Sequence, residues 1–368
     1  MKKIKILMIG MSSNLGGIET YLYNLYRNAD KNIFQFDFTN VTEQDIVYKE
    51  ELEKNGCQIF KLTPRYKNYK KHLEDLKNIF KNNNYDYVHY NIMSFSWYEP
   101  IVIANKYSNA RIIIHSHCSS SNYLKGNHFR TTLLNKVGKF KTRKIPYMKV
   151  ACGQQAGDYM FGKSNYTIFN NGVDLEKFKF NNSNRKKIRK ELKIKDNITI
   201  FGLIAAFFPV KNHEFLIDIF YEILKIKKDS KLILIGEGPL QEKIKNKVNS
   251  LGINNKVLFL GKRTDVDKIY SALDVYLMPS LAEGLSISLI EAQVNGLKCY
   301  TSNNVDKNSN ITGNVEFLSL DQSSEDWVKY ILIQDNSRDE KVLNKIPDEF
   351  NAKKSYEEVY KFYQDNLK

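Results

Sequence analysis

The chain has 368 residues, 42% of them hydrophobic, enough for two domains with a core each, and a formal net charge of +15. Its cysteines (Cys57, Cys118, Cys152, Cys299) are scattered without a Cys-x-x-Cys pair, which argues for reduced thiols and against a disulfide framework or zinc site. No run reaches the ~18 apolar residues of a membrane span, and the basic start leads into a strand rather than a signal peptide, so a cytoplasmic location is expected.

Residues 4–10 (IKILMIG) are predicted as a strand, and Ile18, Tyr21, Leu22 and Leu25 then recur at helical spacing. Gly16 and Gly17 therefore fall at a strand-to-helix turn. Glycine there permits close backbone approach, and the helix start offers amides to a phosphate; a tight turn without ligand is the alternative. Strands at 34–38, 57–62, 85–90 and 111–117 alternate with helices at 43–54, 68–82 and 96–107. Such alternation predicts a parallel sheet with helices on both faces and a site at the strands' carboxyl ends.

His115 and His117 stand where the fifth strand ends. Two apart on an extended segment, they face one side, where a neutral imidazole accepts or donates a hydrogen bond to a sugar hydroxyl. A satisfied core histidine is the alternative reading. No third ligand lies nearby, so no metal is expected.

The charge is uneven: residues 1–180 carry 27 Lys/Arg against 15 Asp/Glu, and residues 122–150 carry eight basic residues and no acidic one. Within that stretch, 127–143 is predicted helical, with Phe129, Leu133, Val137 and Phe140 as an apolar stripe beneath Lys136, Lys139, Lys141 and Arg143. The pattern suits an anionic inner-membrane surface; packing on the helix's own domain is the commoner use of such a stripe. Nucleic acid is not expected as a partner, because no zinc-finger spacing or RNA-recognition motif accompanies the charge. Strands at 147–153 and 166–174 close this half, and the Lys/Asn-rich 176–190 lacks apolar periodicity. Domains are accordingly drawn at 1–170 and 171–350, with 351–368 as a helix that packs back on the first.

The second half restarts the pattern with a strand at 198–207 and a helix bearing Phe215, Leu216, Ile219, Phe220, Ile223 and Leu224. Lys211 falls at their junction, where a point cation neutralises phosphate oxygens or simply meets solvent. Strands follow at 231–240 and 256–261, the first turning at Gly236-Glu237-Gly238-Pro239. The stretch after the strand 274–279 organises the whole chain: Glu283 lies in the loop, Ser286 or Ser288 caps a helix to about 295, and Glu291 lies inside it. The amides of Gly284, Leu285 and Ser286 lie between two carboxylates, which suits a molecule bearing both sugar hydroxyls and a diphosphate.

In this order, Gly16-Gly17-Ile18-Glu19, the histidine after the fifth strand, Asn171-Gly172-Val173-Asp174, Lys211-Asn212-His213, Gly236-Glu237-Gly238-Pro239 and Glu283-x7-Glu291 resemble glycosyltransferase family 4, over essentially the whole chain. The resemblance implies the α/β GT-B architecture, two Rossmann-like doubly wound domains facing a central cleft. It implies a retaining, metal-independent transferase moving a sugar from a nucleotide sugar, a UDP-sugar by preference, to a glycan or polyprenyl-linked acceptor in capsule or exopolysaccharide synthesis. By the same resemblance Glu283, Lys211 and His117 are catalytic, with His117 touching the sugar. Glu291 takes the ribose hydroxyls, and Gly17, Gly236 and the amides of Gly284 to Ser286 line the donor. Gly16, Gly17 and His115 face the acceptor. No cofactor is implied. The family's usual arginine five residues before the lysine is missing, since Ala205 and Ala206 stand there; Lys262 or Arg263 is the expected substitute. A nucleotide-sugar epimerase of this fold, which needs no acceptor, and a non-catalytic partner subunit are the alternatives.

Overall fold

The computed structural model describes residues 2–13, 16–118 and 128–367. Asn14 and Leu15 of the first turn, residues 122–127 of the basic stretch and the side chain of Phe129 lie outside the description. The chain divides into two compact units, Met1–Gly172 with Ala352–Lys368, and Val173–Asn351.

The first unit runs β1 (Ile4–Ile9), α1 (Gly17–Asn28), β2 (Phe34–Asn40), α2 (Lys49–Lys54), β3 (Ile59–Lys61), α3 (Tyr69–Asn82) and β4 (Tyr87–Ile92). It continues with α4 (Glu99–Tyr107), β5 (Arg111–Ser116), α5 (His128–Thr142), β6 (Met148–Ala151), α6 (Gln154–Phe161) and β7 (Thr167–Ile168). Among the described residues the strands are all parallel, in the order β3-β2-β1-β4-β5-β6-β7. Direction of winding reverses between β1 and β4, so a crevice opens at their carboxyl ends. β4 is buried along its whole length, as a strand covered by helices on both faces must be.

Two helices differ from their sequence patterns. The helix expected over 43–54 begins only at Lys49, because Tyr48 adopts a left-handed φ of 63° and stacks on Tyr23 at 3.8 Å. Part of the stripe expected on α5 turns outward, while Val137 is half-buried. Leu133 and Phe140 are exposed, and the helix seats itself through Gly138, where a Cβ would lie 2.0 Å from the Phe95 carbonyl oxygen.

The second unit runs α7 (Leu175–Phe178), α8 (Asn182–Glu191), β8 (Thr199–Ile204), α9 (His213–Ile226), β9 (Ser230–Ile235), α10 (Gln241–Ser250) and β10 (Val257–Phe259). Then come α11 (Val266–Ala272), β11 (Val275–Met278), α12 (Ile287–Val294), β12 (Lys298–Ser302), β13 (Val315–Leu318) and α13 (Ser324–Ile333). Its parallel order is β10-β9-β8-β11-β12-β13, with the reversal between β8 and β11. α8 forms where no apolar period was visible. Asn181 caps it by accepting from the Asn184 amide at 3.0 Å, and Arg185 and Arg189 clamp Asp274 at 2.7 and 2.6 Å.

The chain's last helix, α14 (Ala352–Asp365), belongs to the first unit. Tyr356, Val359 and Tyr363 enter the core formed by β1, β2 and α1, and the Tyr360 hydroxyl donates to the Leu25 carbonyl at 2.5 Å. No helix among the described residues is long and apolar enough to cross a membrane.

Candidate active site

In the second unit the reversal between β8 and β11 gathers the loops that follow both strands. After β8, Pro209–Lys211 forms one 3-10 turn that ends on Asn212 in the left-handed region, φ 53°. The Leu281 amide donates to the Val210 carbonyl at 2.7 Å, which ties this turn to the loop after β11. Lys211 Nζ and Glu283 Oε1, 72 residues apart, form an ion pair whose side chains are 20% and 8% exposed. The backbone of Glu283 is held from below: its carbonyl accepts from the Asp306 amide at 3.1 Å, and the Gly284 carbonyl accepts from Ser309 Oγ at 3.3 Å.

Ser286 is the N-cap of α12 by position, yet its hydroxyl turns to Met278 Sδ and Ser288 Oγ, both at 3.4 Å, and makes no bond to the helix's first amides. The expected hydroxyl cap is therefore absent, which leaves first-turn N–H groups for an external acceptor. Leu285 is half-buried against the core, so its side chain serves packing. Glu291 lies on the buried side of α12. The Tyr270 hydroxyl donates to its Oε2 at 2.9 Å and lies equally close to the Ser288 carbonyl. Burial pushes the Glu291 carboxyl up to about 7, against the opposing pull of Tyr270 and Lys177.

Two residues stand differently from expectation. Gly236 adopts φ 132°, and a Cβ there would lie 2.2 Å from the Ala205 carbonyl oxygen, so close packing of two loops already requires the glycine. Arg263 does not replace the missing arginine: its guanidinium is taken by Asp265 at 2.8 Å and Glu191 at 2.9 Å. Lys262 lies 3.5 Å from Glu237, half exposed on the loop beyond β10. Next to Lys211, His213 stacks on Phe207 at 4.2 Å, and burial followed by the lysine's charge lowers it to about 4.

In the first unit three imidazoles cluster at the ends of β4 and β5. His89 Nε2 meets His115 Nδ1 at 3.2 Å, His89 Nδ1 meets the Tyr363 hydroxyl of α14 at 2.5 Å, and His117 Nε2 meets Asn91 Oδ1 at 2.9 Å. The His115 and His117 rings lie 4.1 Å apart, and Tyr21 of α1 covers both at 5.1 and 5.3 Å. Burial lowers His89 and His117 to about 3 and holds His115 well below the ordinary imidazole range, so all three are neutral at physiological pH. His115 has no exposed surface, whereas His117 keeps some. The expected direct acceptor contact by His115 is therefore corrected: Tyr21 and Phe169 enclose its ring and leave it no surface for one. Gly16 is the N-cap of α1 and Gly17 its exposed first residue. A Cβ on Gly16 would lie 2.8 Å from Glu19 Oε2, and Glu19 in turn accepts from Ser12 Oγ at 2.5 Å.

Sequence reasoning missed His89, Asn91, Tyr270 and Tyr363. The first two carried a visible signal, since polar residues at i and i+2 interrupt the apolar YVHYN exactly as His115 and His117 do two strand positions later in the sheet. The tyrosines carried none, because their partners lie 21 and 274 residues away. Among the described residues no group of three or more His, Cys, Asp or Glu is arranged to hold a metal.

Comparison with known proteins gives this geometry its family. The family described as Glycosyl transferases group 1 matches residues 184–344. The putative glycosyltransferase EpsF of Bacillus subtilis is 30% identical over 339 residues, spanning 90% of this chain and 87% of that one. The capsular polysaccharide biosynthesis glycosyltransferase CapH of Staphylococcus aureus is 25% identical over 320 residues, 84% of this chain and 83% of its own. A UDP-Gal:alpha-D-GlcNAc-diphosphoundecaprenol alpha-1,3-galactosyltransferase of Escherichia coli is 30% identical over 212 residues, 54% of each chain. Among solved structures, Anabaena HepE in complex with UDP and glucose shares the fold at a TM-score of 0.77, with 18% identity and 98% and 99% of the two chains covered. Two doubly wound parallel sheets of this kind are the GT-B architecture, and the chain belongs to the group 1 glycosyltransferases.

Proposed function

We propose that this glycosyltransferase moves a hexose-type unit, with retention and without a metal, from a UDP-sugar to a glycan or polyprenyl-linked acceptor in cell-surface polysaccharide synthesis. The observation that carries the reading is the convergence of Lys211, Glu283, the uncapped start of α12 and Glu291 at one strand edge. A cation and helix amides suit a diphosphate, and the two carboxylates suit hydroxyls of the sugar and the ribose. The names of the E. coli and S. aureus relatives and the UDP held by HepE support the choice of donor and pathway class.

In this reading Lys211 and the amides from Gly284 to Ser286 stabilise charge growing on the leaving diphosphate. Glu291 accepts from the ribose hydroxyls, Glu283 from the sugar, and His117 from a sugar hydroxyl. Gly17 lets the first turn approach the substrate, and Gly16 stands beside it. Gly236 serves by letting its loop pack closely behind the diphosphate position. The bond between the anomeric carbon and the phosphate oxygen breaks, the acceptor oxygen bonds to that carbon on the same face, and the acceptor proton passes to the departing phosphate. Incubation with UDP-sugars and a polyprenyl-diphosphate sugar tests this: a new glycosidic bond with the donor's anomeric configuration is expected. Conversion of the UDP-sugar without acceptor would indicate an epimerase instead, and inertness would indicate a partner subunit.

The basic face of α5 is read as a contact with the inner membrane surface. Leu133 and Phe140 are exposed among Lys136, Lys139 and Lys141, and Arg143 lies over the Phe140 ring at 4.0 Å. Co-sedimentation with anionic but not neutral vesicles, weakened by Phe140→Ser and by salt, is expected; equal binding to both would overturn it.

A further inference from the structure

The carboxyl end of β4 contains one amide whose orientation is decided by its surroundings. Asn91 Nδ2 lies 3.3 Å from the Ile9 carbonyl and 3.3 Å from the His89 carbonyl, both pure acceptors. Its Oδ1 lies 2.9 Å from His117 Nε2. Turning the amide over would set its oxygen against two carbonyl oxygens, and turning the imidazole over would set a C–H against Oδ1. Neither alternative keeps these bonds. The side chain is also clamped, since Gly10 at φ 128° passes so close that a Cβ there would fall 2.9 Å from the Asn91 Cβ. An acceptor oxygen facing Nε2 requires that Nε2 carry the hydrogen.

We propose that Asn91 is a positioning residue that holds His117 as the Nε2–H tautomer, so that Nδ1 presents a lone pair to a donating hydroxyl of the substrate. Nδ1 has no partner among the described residues, and the ring is the partly exposed member of its cluster. The groups packed against it are His115 beside it, His89 behind His115, and Tyr21 of α1, all neutral near pH 7. A ring so placed accepts; it has no proton at Nδ1 to give. This deepens the substrate reading above and rests on His117 touching substrate.

Two measurements on the full chain test it. Side-chain ¹⁵N NMR of the wild-type protein, with His117 assigned through His117→Gln, is expected to show a protonated Nε2 and an unprotonated Nδ1. A proton on Nδ1 overturns the proposal. This readout needs no turnover, so it stands or falls separately from the choice of substrate. In kinetics, Asn91→Asp supplies a carboxylate that raises the ring's pKa, so Nδ1 becomes protonated as pH falls. An acid limb in kcat/KM absent from wild type is expected, while Asn91→Leu lowers kcat/KM about tenfold without such a limb, the worth of one neutral hydrogen bond. An Asn91→Asp profile superimposable on wild type overturns it.

Discussion

The two strand-edge sites of this protein are built on opposite electrostatic plans. At the edge of the second sheet, charge is kept: Lys211 and Glu283 form a mostly buried ion pair, and Glu291 is held on the border of ionisation. At the edge of the first sheet charge is excluded: three imidazoles are neutral and linked to a tyrosine and an asparagine. The difference matches the ligands proposed for each. A diphosphate leaving group needs positive potential that grows in value as the bond breaks, whereas a sugar hydroxyl needs only a fixed acceptor. The plans also titrate in opposite senses. The histidines' folded pKa values lie below the unfolded ~6.5, so stability is lost as pH falls through that value and the unfolded chain takes up protons. Glu291's folded pKa lies above its unfolded value, so its contribution is present at low pH and lost as pH rises toward 7.

The contrast can be broken most severely at Lys211. Lys211→Ala removes the cation and is expected to lower kcat by ~10²–10³ in a transfer assay at saturating donor, with far-ultraviolet circular dichroism unchanged. A rate within twofold of wild type would mean that another group carries the phosphate. Glu291→Gln sharpens the comparison next. It removes a carboxyl raised from 4.5 to about 7, so at pH 8 the melting temperature is expected to rise by the equivalent of roughly 3 kcal/mol while UDP affinity falls. Wild-type affinity for a UDP-sugar, whose diphosphate diester does not titrate near neutrality, should itself weaken as pH drops below 7, and this dependence should vanish in the variant; calorimetry across pH 6–8 decides. On the uncharged side, Tyr363→Phe strips His89 Nδ1 of its partner and is expected to cost ~1–3 kcal/mol by denaturant titration, with UDP affinity unchanged. A matching loss of UDP affinity would show that the first unit's cluster also supports the nucleotide.

The placement of the candidate site residues was legible because each is set by residues close to it in sequence. Glu283, Gly284 and Glu291 sit on one loop and helix, and Lys211 sits at a strand-to-helix junction, so periodicity alone assigned each to the carboxyl edge of a strand. His115 and His117 were legible as a pair but not as unequal. Which one is enclosed depends on Tyr21 and Phe169, far away in the chain. The fate of Arg263 was half-legible, since Asp265 stands two residues on, but Glu191 does not.

The amino-acid sequence by itself determined two alternating α/β units and the residues that stand at their strand ends, because apolar period and glycine placement act over a few neighbours. Tertiary structure alone decided which of those residues pair, which are enclosed and which keep their charge. Asn91 and His117 lie 26 positions apart, Lys211 and Glu283 lie 72 apart, and α14 returns from the chain's end to set Tyr363 on His89. Protonation and desolvation are properties of what surrounds a group in space, and no local pattern encodes that.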